Sequence, residues 1–537
     1  MANCLYYGDN LEVLRLHVKD ETIDLVYLDP PFNSNATYNV LFKAPSGEQS
    51  QAQIEAFEDT WHWTQEAEQA FDEVLKSGNA DAAELLRGIR AFLKENDLMA
   101  YLAMMSIRLI ELHRVLKQSG SLFLHCDPTA SHYLKLILDS TFGAKRYRNE
   151  LIWKRTSAHN DAAQGLTRFG KTHDSILFYS KSDSPTWNAQ FVPYDDEYIK
   201  SHYGQIEKGT GRAFTTADLT AAKPGGDTLY EWEGVAPPKG RYWAYSRANM
   251  EGFKAQGRLV YGRTGVPRLK NYLDEMPGVV LGSLWADIPP INSQAQERIG
   301  YATQKPVALL ERIINASSNA GDIVLDPFCG CGTTIHAAQK LNREWIGIDI
   351  TNLAISLIEK RLIDAFPGIK FETHGTPKDM DGARALAAKD KYQFQWWAIS
   401  LVNAVPYGGK KKGADSGIDG FIYFKPDART TKKAVVSVKS GDNVNVAMVR
   451  DLAHVVAREK AQLGIFITLS EPTKPMLTEA IKEGFYETLY GKFPKLQIFT
   501  VAELFEGKKP NIPWVDPATF KKAAKEKEGG SQDELPF

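Results

Sequence analysis

The chain has 537 residues, more than one hydrophobic core organises, so two to four domains are expected. Its 43% hydrophobic and 24% charged residues match a soluble globular protein. A formal net charge of -2 excludes a generally basic nucleic-acid coat, so any contact with nucleic acid must use local positive patches. No apolar run is long enough to span a bilayer and the N-terminus lacks a signal-peptide core, which points to the cytoplasm and away from membranes. Cys4, Cys126, Cys329 and Cys331 make no C-x-x-C pair, so neither a disulfide framework nor a ribbon-type zinc site is expected.

The first strong element is the apolar run Ile23–Leu28, read as a strand buried on both faces. It leads into Asp29, Pro30, Pro31 and Phe32, then into the Asn-rich "NSNATYN", read as a loop. Two prolines fix φ twice and give up two amide donors, so the carbonyls of Asp29 and Pro30 point in set directions. A carboxylate and a fixed carbonyl are both acceptors and can take both hydrogens of an amino group. A nitrogen held this way, out of conjugation with its ring, has a lone pair free to attack an electrophile. Phe32 offers a flat face for a base to stack on. Taken alone, the motif is as readily a strand-ending turn.

A helical pattern follows over Leu98–Lys117, then strands over Ser121–His125 and Ser175–Tyr179. From about Phe191 to Asn292 the chain is rich in Gly, Pro, aromatics and cations without a sustained period, which reads as a loop-rich insertion. Pro306 suits a first helical turn. The strand Ile323–Asp326 then enters "PFCGCGTT", where Gly330 and Gly332 make a tight turn and a helix starts near Thr333. Free N–H groups at that helix start suit a carboxylate. The next strand, Trp345–Asp349, ends in an acid that can accept both hydroxyls of a ribose. A helix follows with Thr351 or Asn352 as its cap. The absence of G-x-G-x-x-G counts against NAD, and the absence of G-K-[ST] against a P-loop. Cys329 and Cys331 read as small wall residues rather than metal ligands.

Strand–helix alternation implies an α/β fold: a doubly wound, mostly parallel sheet. Ligands in such sheets sit beyond the carboxyl ends of the strands. The Asp-Pro-Pro-Phe strand and the glycine-loop strand can therefore face one pocket.

Together "DPPF" and "DPFCGCGTT" resemble the amino-group DNA methyltransferases that use S-adenosylmethionine. With the catalytic motif before the cofactor loop, the order is similar to the β class, including type III modification subunits. "ATQKPVALLERIINASSNAGDIVLDPFCGCGTT" and "YYGDNLEVL" carry the same resemblance, which covers roughly residues 1–366. It implies catalysis by Asp29, Pro30, Pro31 and Phe32. It implies cofactor contacts from Asp9 near the adenine, Asp349 at the ribose, and Asp326, Phe328, Gly330, Gly332 and Thr333 in the loop. Thr303, Gln304 and Lys305 would help close the methionine end. The insertion, 191–292, would be the target-recognition region, with Arg212, Lys239, Arg241, Arg263, Arg268 and Lys270 among Tyr242, Trp243 and Tyr261, and Trp153, Lys154 and Arg155 just before it. Asp rather than Ser at the first motif position implies N6 of adenine rather than N4 of cytosine. The implied partners are double-stranded DNA, a restriction or defence-complex subunit, and a second copy in a homodimer.

After an expected linker at 367–390, a smaller α/β domain is read over 391–510, followed by a tail at 511–537. Its helices are placed near Tyr392–Asn403 and Asn445–Ala461, and its strands near Phe421–Phe424 and Ala434–Lys439. "GIDGFIYF" followed by "AVVSVKSG" resembles the Mrr-type restriction endonucleases. The resemblance implies a nuclease-like site at Asp419, Ser437 and Lys439, with Asp419 holding Mg²⁺ if the domain cuts DNA. Ser437 stands where that family has Glu, Asp or Gln. A second reading, a DNA-binding domain with Lys410–Lys412 on the backbone, stays open.

Overall fold

The computed structural model describes residues 3–31, 37–43, 49–58, 62–156, 167, 169–223, 225–262, 265–292, 295, 297–299, 301, 303–407, 417–427, 430–489 and 491–513. One sheet of nine strands runs in the order Leu284–Trp285, Tyr147–Lys154, His173–Ser180, Leu116–Cys126, Ile23–Leu28, Ile323–Asp326, Glu344–Asp349, Cys4–Tyr7 and Glu372–His374. His173–Ser180 is antiparallel to both neighbours; the other pairings are parallel. The mostly parallel α/β sheet expected from the sequence is therefore the fold.

Side chains alternate across a strand, so Val26, Leu28, Leu122, Leu124, Leu325 and Ile346 fall into one core with the helix Asp97–Val115. Asn96 starts that helix by accepting from the Met99 amide at 2.9 Å. Its apolar pattern continues to Lys117, but the helix stops at Val115. Leu116 pairs instead with Ile23 and opens the strand Leu116–Cys126, because sheet pairing overrides local helical periodicity.

Two expected loops are structured. Within "NSNATYN", residues 33–36 lie outside the described residues, but Thr37–Lys43 is a strand paired antiparallel with Gln49–Glu58. The asparagines hid the β-prone run from Tyr38 to Phe42. The insertion is a compact unit over Ala189–Gly282. It holds a four-stranded sheet ordered Leu259–Tyr261, Pro267–Tyr272, Ala213–Asp218 and Gln205–Ile206. Leu219, Trp232, Trp243 and Met250 fill its core. Its strands mix polar and apolar residues without a sustained alternation, and Leu284–Trp285 has already returned to the main sheet.

The stretch expected to link the domains is ordered as well. Glu372–His374 pairs with Cys4–Tyr7, and the helix Met380–Lys389 puts Ala383, Leu386 and Ala387 into the C-terminal core. There a five-stranded sheet runs Val405–Pro406, Gly420–Phe424, Lys432–Lys439, Leu463–Thr468 and Leu496–Thr500. The flanking helices span Lys391–Leu401 and Val446–Arg458. The tail beyond residue 513 and Lys410–Lys412 lie outside the described residues.

Gly464 sits on an interior strand of this smaller sheet, between Lys432–Lys439 and Leu496–Thr500, where a Cβ would stand 2.5 Å from Leu496 Cδ2 and 2.9 Å from Val456 Cγ2. Overpacking of a close-packed interior costs about 1–3 kcal/mol. Gly464→Val is expected to lower the stability of the chain by that order, read as an earlier urea midpoint.

Candidate active site

Parallel pairing places Leu25 opposite Val324 and Val26 opposite Leu325, so Asp29 and the glycine loop leave adjacent strands at the same edge. Between them opens a cavity of about 310 Å³. Its lining includes Asp9, Asp29, Pro31, Thr303, Gln304, Lys305, Asp326, Phe328, Gly330, Thr333 and Asp349. Pro30 is buried behind the rim. Gly332 does not line the cavity but makes the turn that shapes it. Phe32 lies outside the described residues.

The loop's glycines are required by geometry. Gly330 has φ +49° and Gly332 φ +74°, and a Cβ on Gly332 would stand 2.7 Å from Ile358 Cγ1. Gly332 is the N-cap of the helix Thr333–Lys340. Asp349 ties the turn to the neighbouring strand. Its Oδ2 accepts from the Gly330 amide at 2.9 Å, and its Oδ1 from the Thr351 amide at 2.9 Å and hydroxyl at 2.8 Å. Asp326 Oδ1 accepts from the Phe328 amide at 3.0 Å.

Lys305, expected at the cofactor, is bonded to the catalytic motif. Its Nζ donates to Asp29 Oδ2 at 2.5 Å, across 276 positions of sequence. Among the described residues no donor is bonded to Asp29 Oδ1. Burial pushes the Asp326 carboxyl up to about 7, helped by the nearby charges of Asp29 and Asp349. Burial likewise pushes Asp349 up to about 6, against its three hydrogen bonds.

Sequence reasoning missed Arg108. It is buried in the Asp97–Val115 helix, where its Nη2 donates to Asp9 Oδ2 at 2.7 Å and its Nε to Asn10 Oδ1 at 2.6 Å. Asn10 Nδ2 in turn donates to the Pro327 carbonyl at 2.8 Å, tying the Asp9 turn to the glycine loop. An arginine within the apolar run from Leu98 to Ile110 was the available signal. Tyr27, also on the cavity wall, was missed too; its hydroxyl is hydrogen-bonded to His125 Nδ1 at 2.9 Å. His125 Nε2 lies 3.1 Å from Asp174 Oδ2, and all three side chains are buried.

In the Ala189–Gly282 unit most expected DNA-facing cations have internal partners. Arg212 donates to Asp274 and Glu275 at 2.6–2.8 Å and stacks 3.8 Å over Tyr272. Lys270 pairs with Glu207, Arg241 with Asp218, and Arg268 donates to Thr216. Trp243 is core, while Tyr242 is half-buried and Tyr261 exposed. Lys239 is exposed, as are Lys208 and Lys223, which sequence reasoning did not single out. Arg263 lies outside the described residues. Just before the unit, Trp153 is buried and donates to the Ile288 carbonyl, Lys154 is exposed, and Arg155 lies 3.5 Å from Asp174.

In the smaller sheet Asp419 is buried just before the strand Gly420–Phe424, Ser437 is buried on the adjacent strand, and Lys439 ends that strand. Asp419 Oδ2 accepts from the Val438 amide at 2.6 Å. Mg²⁺ needs several oxygen ligands in open positions. Among the described residues here, one oxygen of Asp419 accepts a sheet amide and its neighbour is a serine. Among the described residues no group of three His, Cys, Asp or Glu side chains could hold a metal ion. Among the described residues the expected Mg²⁺ site is not complete.

A family model described as a DNA methylase of the N6/N4 type matches residues 23–360. The chain belongs to this DNA methylase family. A restriction endonuclease model of the Mrr type matches residues 386–486. The methylase is 30% identical to the type II methyltransferase M.EcaI of Enterobacter cloacae, over 67% of this chain and 69% of that protein. It is 26% identical to the StyLTI Mod subunit, a type III restriction-modification protein of Salmonella typhimurium, over 64% of this chain and 50% of the subunit. It is 24% identical to the DNA adenine methyltransferase YhdJ of Escherichia coli, over 67% and 83%. Membership makes S-adenosylmethionine the cofactor of this DNA methylase, and the cavity fits it. The Gly332 turn admits no side chain, and acids stand at the strand ends where hydroxyls and positive charge would lie.

A carboxyl raised by burial is protonated in the folded chain at pH values where the unfolded chain has released that proton. Asp326 and Asp349 therefore favour the fold at low pH, and this contribution falls as pH rises from about 4 to about 7. A cation bound beside them reverses the preference. The methylase is expected to bind S-adenosylmethionine more tightly as pH rises from about 5 to about 7 and to release protons on binding near pH 6. Titration calorimetry in buffers of different ionisation enthalpy measures that release; heats independent of buffer would contradict it.

Proposed function

We propose that this methylase is site-specific and moves the methyl group of S-adenosylmethionine to the exocyclic N6 amine of adenine in duplex DNA. The observation that carries the reading is the opening of Asp29 and the glycine loop onto one cavity from adjacent strands. When bound, the cofactor supplies an electrophilic methyl on a positively charged sulfur. The chain's own residues do the rest by binding and orientation.

Asp29 Oδ1 and the backbone carbonyl held by the Pro30–Pro31 pair accept the hydrogens of the target amine. Lys305, on Oδ2, holds the carboxylate in place and balances its charge. The target base must leave the duplex, which costs roughly a few kcal/mol of stacking and pairing. Stacking on Phe32 and the bonds to Asp29 offset part of that cost. Asp349 holds the Gly330 turn and takes the ribose; Arg108 fixes Asp9 at the adenine side. In the Ala189–Gly282 unit, Lys208, Lys223 and Lys239 are better placed to grip phosphates than the ion-paired arginines. Adenine is favoured by the Asp of the motif and by the relative named as an adenine methyltransferase.

The relative named as a Mod subunit supports a restriction-modification context, with a restriction or defence-complex subunit or a second copy of the chain as partner. The Asp419 geometry favours a C-terminal domain that binds DNA over one that cleaves it.

Asp29→Ala is expected to abolish transfer of label from S-adenosylmethionine to duplex DNA while cofactor affinity stays within about threefold, less than one hydrogen bond's worth. Full activity in that variant would sink the mechanism. Methylation-sensitive long-read sequencing of DNA from expressing cells identifies the base. A second expectation concerns the Mrr-type domain: unmethylated duplex incubated with Mg²⁺ stays intact. Cleavage that disappears in Lys439→Ala would replace this reading with a single-chain restriction–modification enzyme.

A further inference from the structure

The helix Lys391–Leu401 belongs to the Mrr-type segment, yet it does not serve that segment alone. Asp390 caps it by accepting from the Tyr392 amide at 2.8 Å and the Gln393 amide at 3.1 Å. Phe394, Trp397 and Ala398 turn into the C-terminal core. Gln393 and Trp396 stand three positions apart, on a neighbouring stripe of the same helix.

That stripe meets the wall of the cofactor cavity. Gln393 Oε1 accepts from the Asn352 amide at 3.3 Å. Asn352 opens the helix Asn352–Ala365, and an amide in a first helical turn has no partner within its own helix. The three residues before it, Asp349, Ile350 and Thr351, line the cavity. Trp396 packs in an apolar cluster with Tyr301, Cys331 and Leu353. Tyr301 and Cys331 are themselves cavity wall. On another side Tyr7, next to the cavity residues Gly8 and Asp9, packs against the C-terminal core. Its phenol is pushed up to about 12 by burial and then by the charge of Asp390.

We infer that Gln393 and Trp396 of the Mrr-type domain are positioning residues for the methylase's cofactor, holding the Asp349–Asn352 turn and the Tyr301–Cys331 wall in their binding geometry. The inference rests on the reading of this cavity as the S-adenosylmethionine site. Neither side chain lines the cavity, so each acts through the wall it supports. Coupling of this kind is reciprocal: a cofactor that needs the wall in place also steadies the helix that braces it.

The test uses the full chain. Trp396→Ala is expected to raise the Kd and KM for S-adenosylmethionine at least about fivefold, the lower end of ordinary coupling between sites. The kcat at saturating cofactor and the KM for DNA should stay within about twofold. Trp396→Phe should restore most of the affinity. Gln393→Ala removes one hydrogen bond and no core contact, so it serves if the tryptophan variant folds poorly; its expected effect is about twofold to tenfold. In the wild type, S-adenosylhomocysteine should slow amide exchange over 391–401, and this protection should be lost in Trp396→Ala. Wild-type affinity in both alanine variants, with protection unchanged, would overturn the inference alone. A wild-type chain that binds no cofactor would overturn the cavity reading and this inference with it.

Discussion

The pairing of Ile23–Leu28 with Ile323–Asp326 is the constraint on which the rest depends. Both strands are buried, and parallel strands this far apart in sequence have no hairpin to fix their register. Asp24 supplies a pin. It is buried, and its Oδ2 accepts from the Ile323 amide at 2.9 Å and from Lys117 Nζ at 2.7 Å. A slip of one residue would turn every side chain of the strand to the other face and carry Asp29 away from the glycine loop. The acid in the middle of "IDLVYL" thus sets the alignment that the acid at its end requires.

That alignment concentrates charge. Asp29, Asp326 and Asp349 line one small cavity, and two of them are raised toward neutrality by burial. Lys305 pairs with Asp29, and Arg108 pairs with Asp9. The distribution matches what the site must hold. A ligand carrying a sulfonium and an ammonium is drawn by the acids, while a carboxylate finds the amides at the start of the Thr333–Lys340 helix. With the Asp326 and Asp349 carboxyls raised by burial, a cation beside them can displace their protons without moving a side chain.

How much of this the sequence revealed follows from the physics of each signal. Ile23–Leu28 and Ile323–Asp326 were legible to the residue, because strands buried on both faces are near-continuously apolar and these two end abruptly at acids. The glycine turn was legible because few residue types tolerate its backbone. The end of the Asp97–Val115 helix was not, since Leu116 and Lys117 suit a helix locally and only their place beside Ile23 makes them strand. The sheet inside Ala189–Gly282 was hidden because strands such as "AFTTAD" and "PRLKNY" mix polar and apolar residues without a sustained alternation. Its arginines looked like a DNA-binding cluster because sequence shows charges without their partners; Asp274 and Glu275 pair with Arg212 and Asp218 with Arg241 within the unit. Arg108 was legible in principle as a charge set in the apolar run from Leu98 to Ile110. The bond from Lys305 to Asp29 was not, because nothing local links positions 276 apart.

The C-terminal domain shows how a fold and a site can part company. The packing of an Mrr-type sheet needs apolar strands, and Gly420–Phe424, Lys432–Lys439 and Leu463–Thr468 supply them. A cation site needs several oxygen ligands, and among the described residues Asp419, with one oxygen on the Val438 amide, stands beside a serine. The two requirements act on different residues, so the core can be complete where the cation site is not. The same core packs against Tyr7, and its Lys391–Leu401 helix reaches the Asn352–Ala365 helix of the methylase. Deleting the domain would leave Asn352's amide without its partner and Leu353 without Trp396, at the turn where Asp349 faces the cavity. Its physical attachment to the methylase therefore lies in the wall of the cofactor site.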